Sequence, residues 1–160
     1  MYDILIENGK LIDGTGAPWF YSDIGVKDNR IAKIGRNIKG RAKRIIDANG
    51  NVVCPGFIDI HTHSDIPLLV NPKAEGKVYQ GVTLDVGGNC GISPAPVYGK
   101  ARMDLSKQLL DDYDIKMNWE TYGEYLNFMG QEGISINYAS FVGHGSIREV
   151  VMGYKREKPT

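Results

Sequence analysis

The sequence predicts a β-rich first part followed by an α/β part, on three observations. Up to Gly56, short apolar strands alternate with Asn, Asp and Gly turns at intervals of about 8–12 residues, the rhythm of a small β-sandwich. After Pro55-Gly56, strands alternate with longer amphipathic segments, the pattern of βα units on a parallel sheet. At the junction, a proline-glycine stop, an apolar strand and His61-Thr62-His63 follow in direct succession. A closed (β/α)8 barrel takes about 250 residues, and the stretch from Phe57 to Thr160 holds three visible βα units. The expectation is a β-sandwich part over 1–56 and the opening units of a barrel over 57–160, incomplete in this chain. The 160 residues read as the front of a larger protein, and their polar end, Lys155 to Thr160, carries no closing signal.

Tyr2 to Glu7 is apolar-rich and is followed by Asn8-Gly9, a strong hairpin signal. Lys10 to Asp13 reads as a short strand broken by Gly14-Thr15-Gly16. Ser22 to Lys27 and Arg30 to Ile34 form a strand pair hinged at Asp28-Asn29, and Arg44 to Asp47 pairs with Asn51 to Cys54 across Ala48-Asn49-Gly50. Phe57 to Ile60 reads as a buried strand. Lys73 to Gln80 reads as a short helix ended by Gly81, and Val82 to Val86 as the second strand of this part. Ser106 to Tyr113 is a further helix. Trp119, Tyr122, Leu126 and Met129 mark the apolar stripe of another. Ser135 to Val142 is the third strand, and Ser146-Ile147-Arg148-Glu149 reads as a capping box opening the next helix.

With 42% hydrophobic and 24% charged residues, the composition is that of a globular domain. Nineteen acidic residues cancel nineteen basic ones, which gives no electrostatic reason to expect nucleic acid or an anionic membrane as partner. The locally basic run Arg36 to Arg44 lacks interleaved aromatics and reads as a solvated loop. No segment approaches the roughly 18 apolar residues of a membrane span, and Met1-Tyr2-Asp3-Ile4 does not open a signal peptide. Cys54 and Cys90 make no disulfide framework, so a reducing cytoplasmic setting is expected. Cys54, before Pro55, reads as packing.

Side chains two apart on a strand point to one face, so His61 and His63 at a strand end can aim both imidazoles at one point. Neutral imidazole is a preferred zinc ligand. Asp59, on the same face, either orients an imidazole or bonds backbone at the strand end. Cys90 lies just past the second strand in a glycine-rich loop, Gly87-Gly88-Asn89-Cys90-Gly91, where its thiolate could join the same ion. His144 follows the third strand and is placed either to face a substrate, with the helix start at Ser146 ready for an anion, or to bond local backbone. Arg148 is a candidate carboxylate binder, set against an ordinary solvated arginine.

The run Pro55-Gly56-Phe57-Ile58-Asp59-Ile60-His61-Thr62-His63-Ser64-Asp65 resembles the first-strand signature of the amidohydrolase superfamily. Gln80-Gly81-Val82-Thr83, Gly88-Asn89-Cys90-Gly91-Ile92-Ser93 and Gly143-His144-Gly145-Ser146-Ile147-Arg148 narrow the resemblance to the N-acyl-D-amino-acid deacylases, or D-aminoacylases. The resemblance covers the whole chain. It implies a small β-sandwich with an amidohydrolase (β/α)8 TIM barrel, and a hydrolase that uses one or two zinc ions to cleave the amide of an N-acyl-D-amino acid. His61 and His63 match first-strand metal ligands. Cys90 matches the cysteine that ligates zinc where many relatives use a carbamylated lysine. His144 matches a motif position without a defined role.

Two further histidine ligands and the aspartate general base of that family have no counterpart within residue 160, so the chain alone is expected to be inactive. A cyclic-amide hydrolase of the dihydroorotase or hydantoinase kind shares the His-x-His element, but Cys90 would be unnecessary beside a bridging carbamylated lysine. The reading from another class is a non-catalytic scaffold fragment. An open third strand is a bare edge, so self-association or a companion chain completing the barrel is also expected.

Overall fold

The computed structural model describes residues 1–158; Pro159 and Thr160, the end of the polar stretch noted above, lie outside the described residues. Contacts divide the chain into two compact units, Met1–Pro55 and Gly56–Thr160.

The first unit is built on β1 (Tyr2–Leu11), β2 (Phe20–Lys27), β3 (Arg30–Gly35), β4 (Ala42–Asp47) and β5 (Val52–Val53). They form one mixed sheet in the order β3-β2-β1-β4, with β5 also on β1, rather than two facing sheets among the described residues. Leu5, Leu11, Ile24, Ile38 and Ala48 are its buried apolar side chains. Asn8-Gly9 makes a bulge instead of the expected hairpin turn. The register of β1 against β2 shifts between Ile6 and Gly9, and Asn8 takes a left-handed φ of 58°. Two carboxylates hold it there: the Asn8 N–H donates to Asp23 Oδ1 at 3.0 Å and its side-chain amide to Asp47 Oδ1 at 3.0 Å. The strand on each side of the bulge keeps β2 as its antiparallel partner. The expected pairing of the segments around Ala48-Asn49-Gly50 is likewise replaced, because β4 pairs in parallel with the first half of β1 and β5 with its end.

The second unit alternates strands and helices: β6 (Phe57–Asp59), α1 (Asp65–Val70), α2 (Glu75–Val78), β7 (Val82–Gly87), α3 (Gly99–Tyr113), α4 (Tyr122–Glu132), β8 (Asn137–Ser140) and α5 (His144–Met152). The three strands are parallel, in the order β6-β7-β8. Helix α4 starts at a capping box: Thr121 accepts the Glu124 N–H, and the Glu124 carboxylate accepts the Thr121 N–H at 2.9 Å. That start places Trp119 ahead of the helix and moves the buried stripe from Leu126 to Tyr125, with Met129 buried as expected. Trp119 and Tyr125 are fully buried with Leu68, Leu109 and Ile136 around them, and the Trp119 indole N–H donates to the Pro94 carbonyl at 3.0 Å.

Two more expectations change. Helix α3 begins at Gly99 rather than Ser106, because its first turns carry no continuous apolar stripe to reveal them. Strand β6, read as buried, leaves Phe57 and Ile58 more than half exposed, at 59% and 57%. It is an edge of the three-stranded sheet.

Truncating Trp119 removes the largest side chain of this core. Trp119→Ala is expected to destabilise the second unit by about 3–5 kcal/mol, read as a lower urea midpoint; a change below about 1 kcal/mol would contradict its role. Burial also raises the phenol pKa values of Tyr125 and Tyr138 well above the ordinary tyrosine value, and the Tyr125 hydroxyl donates to the Asp65 carbonyl. A raised folded pKa contributes stability in full below the unfolded value of about 10, and that stability is lost as pH rises beyond it. The melting temperature should therefore fall above this pH, with tyrosinate absorbance at these positions appearing only on unfolding.

Candidate metal centre

Strands β6 and β7 run parallel with Ile58 opposite Leu84 and Asp59 opposite Asp85. Chains leaving their carboxyl ends therefore emerge side by side. The segment after β6 carries His61 and His63, and the loop after β7 carries Cys90. Their ligand atoms all lie within 4.8 Å of one another, and the three side chains are exposed. His61 Nε2 and Cys90 Sγ are 2.9 Å apart, and the two imidazole centroids are 5.9 Å apart. Sequence spacing thus brings together three of the five candidate site residues.

The loop that presents Cys90 is tied at several points. The Asn89 side-chain amide donates to the Ile60 and Val86 carbonyls, at 2.8 and 3.0 Å, and so joins the two strand ends. Gly88 takes a φ of 77°, and a Cβ there would lie 2.0 Å from the Phe141 carbonyl oxygen. Only glycine accepts that combination. Ser93 closes the loop onto α5: its N–H donates to Ser146 Oγ at 2.8 Å, and its hydroxyl accepts the Gly143 N–H at 2.9 Å.

Beneath the histidines lies a polar cluster. The His61 N–H donates to Asp59 Oδ1 at 3.2 Å, so Asp59 takes the backbone role of its two alternatives. Asp59 Oδ2 is 2.5 Å from Lys77 Nζ. The Lys77 ammonium and the His61 N–H, in that order, hold the Asp59 carboxyl below its usual range. Burial works against the charge on Lys77, but Asp59 and Asp85 outweigh it and raise the lysine above its ordinary value.

Two imidazoles and a thiolate are a donor set that zinc takes, with bonds of about 2.0–2.1 Å to nitrogen and 2.3 Å to sulfur. The observed spread is somewhat wider than around a bound ion. All three side chains are exposed, and His61, His63 and Cys90 fit a metal.

The other candidates are placed differently. Helix α5 is capped at Gly143, not at Ser146. Ser146 is its third residue, buried, with its hydroxyl bonded to Ser93. The Gly145 and Ser146 N–H groups both donate to the Gly91 carbonyl, at 2.7 and 3.3 Å, so the expected anion seat at the helix start is filled by backbone. His144 is the first residue of the helix, with its side chain exposed. The Arg148 guanidinium donates to the Lys155 and Glu157 carbonyls; it ties down the following segment and is not free for a carboxylate. Cys54, expected to pack, is exposed.

Sequence reasoning passed over Lys77, Asp85 and Asn89. The signal for Asp85 was a charged residue inside the apolar run Val82 to Val86, a position that demands a cation nearby.

The chain matches the model of the Amidohydrolase family over residues 44–129, more than half its length. It is 40% identical over 151 residues to D-aminoacylase of Alcaligenes xylosoxydans xylosoxydans, covering 94% of this chain and 31% of that enzyme. A solved D-aminoacylase, studied for its binuclear metal center, matches with a TM-score of 0.86 at 39% identity, over 100% of this chain and 33% of that one. N-acyl-D-glutamate deacylase from Bordetella bronchiseptica, solved with zinc and a phosphonate mimic of the tetrahedral intermediate, matches with a TM-score of 0.86 at 36% identity, over 99% and 33%. The chain spans about a third of the length of these relatives. Its sequence and its fold place it in one group: this chain belongs to the amidohydrolase family.

Proposed function

We propose that this chain is the amino-terminal portion of a zinc-dependent hydrolase that cleaves the amide bond of N-acyl-D-amino acids, releasing a D-amino acid and a carboxylate. The observation that carries it is the convergence of His61, His63 and Cys90 within 4.8 Å at one strand end. The D-aminoacylase and N-acyl-D-glutamate deacylase likenesses support the substrate class. Cys90 favours this reading over a cyclic-amide hydrolase, because it occupies the place beside His61 that a bridging carbamylated lysine would make redundant. In this proposal residues 57–160 form the first three βα units of a (β/α)8 TIM barrel, and residues 1–56 part of an accompanying β-sandwich domain. The remaining barrel comes from further sequence, a companion chain or a second copy.

His61, His63 and Cys90 would hold one of the one or two zinc ions. When bound, zinc polarises an amide carbonyl and lowers the pKa of water. The chain's own contribution is to orient that group. The imidazoles act as neutral donors, Cys90 as a thiolate, and the Asn89 amide fixes the distance between the two strand ends that carry them. His144, exposed at the start of α5, is assigned to the substrate side. The general base is assigned to sequence beyond residue 160. The location we propose is cytoplasmic. Two free thiols suit it, and no helix among the described residues is long and apolar enough to cross a membrane.

Zinc holds the thiolate and shields it from electrophiles. Saturating zinc is expected to slow alkylation of Cys90 and leave Cys54 unchanged, as measured by mass spectrometry of the labelled peptides. Equal Cys90 rates with and without metal would count against the site.

The 160-residue chain with zinc is expected to show no turnover of N-acetyl-D-methionine. Loss of a general acid–base group alone costs about 10²–10⁴ in rate. Extending it with the sequence that completes the barrel should restore hydrolysis, and robust turnover by the short chain as a monomer on sizing chromatography would overturn the placement of the base.

A further inference from the structure

Three polar groups around the His61-Thr62-His63 segment meet at one ammonium. Lys77 Nζ, on α2, lies 2.5 Å from Asp59 Oδ2, 3.3 Å from Asp85 Oδ1 and 3.3 Å from Thr62 Oγ1. Asp59 and Asp85 are direct partners across the parallel β6–β7 pair. Asp59 turns its other oxygen to the His61 N–H. Thr62, between the two histidines, is buried; its N–H donates to the Val86 carbonyl at 3.1 Å and its hydroxyl meets Ser64 Oγ at 2.5 Å.

Asp85 decides where the ammonium sits. Its side chain is completely buried, and neither carboxylate oxygen makes a hydrogen bond. Lys77 is the cation beside it. A buried charge with no partner is strongly unfavourable, so Asp85 pins an otherwise flexible lysine head to one position. A lysine that only tied a helix to a sheet would need one carboxylate. This one also reaches the residue two before His61 and the residue directly after it.

We propose that Lys77 is a positioning residue for the metal ligands: anchored by Asp85, it fixes through Asp59 and Thr62 the backbone that carries His61 and His63. The proposal rests on the metal-site reading above. Groups that orient a ligand from behind typically hold about 10–100-fold in metal affinity.

The test titrates the full 160-residue chain with Zn²⁺ against a chromophoric chelator, and with Co²⁺ followed by its visible absorption. Four variants accompany the parent. Asp59→Ala cuts the link to the His61 N–H and leaves the Lys77–Asp85 pair in place. Lys77→Met combined with Asp85→Leu removes the ammonium without stranding a buried carboxylate. Lys73→Met alters a nearby exposed lysine as a control. Zinc affinity is expected to fall by about 10–100-fold in the first two and to stay at the parent value in the third, with the cobalt d–d bands weakened in parallel. Binding within about threefold of the parent in the first two would reduce Lys77 to a structural tie and overturn the proposal. Should the double variant fail to fold, Asp59→Ala decides alone, since it leaves the buried charge paired. Parent binding that survives His61→Ala combined with Cys90→Ser, or no saturable binding by the parent, would overturn the site itself. That outcome is distinct from failure of the positioning role.

Discussion

Asp59 stands opposite Asp85 because β6 and β7 run parallel in that register, and the geometry of the proposed metal centre follows from this alignment. Parallel strands deliver both carboxyl ends to one side of a sheet, where the chain is released from its ladder. A shift by one residue would turn every side chain on β6 to the other face, carrying Asp59 away from Lys77. The register places two acids side by side, and like charges so placed repel unless a cation lies between them. Lys77 is that cation, so the electrostatics of the cluster and the geometry of the histidines are one arrangement seen from two sides.

The other half of the centre depends on steric closeness rather than charge. The Cys90 loop approaches the segment after β8 so tightly that a Cβ on Gly143 would come within 2.6 Å of the Gly91 carbonyl oxygen. That carbonyl accepts the Gly145 and Ser146 N–H groups in the first turn of α5. The helix start is thus satisfied by the loop, and the loop is held by the helix. Backbone tied on both sides leaves the exposed histidine and cysteine side chains as the groups that would close around an ion in the proposed site.

How much of this was legible depends on which rule each residue obeyed. His61, His63 and Cys90 could be read because strand alternation and strand ends are local properties. The cap of α4 was missed, although Thr121 and Glu124 carry its full signature, because Trp119 fell in phase with the stripe and drew the helix start forward. Ser146 and Glu149 carry the same spacing yet do not cap. Ser146 has a tertiary partner in Ser93, 53 residues away, and sequence spacing cannot register such competition. Asn8-Gly9 failed as a turn for a similar reason. Its left-handed φ was legible, but a bulge and a hairpin share that requirement, and the acids that select the bulge lie at positions 23 and 47.

The apolar residues of β6 add a last step. Phe57 and Ile58 of β6 and Ile60 just past it are the apolar side chains expected of a parallel strand covered on both faces, yet all three are more than half exposed. Phe141 and Val142, just past β8, are exposed as well. Isolated apolar residues at a surface are ordinary, whereas clusters along the two edges of one sheet are not. In the longer hydrolase proposed above, these edges are where neighbouring barrel strands would pair and cover them.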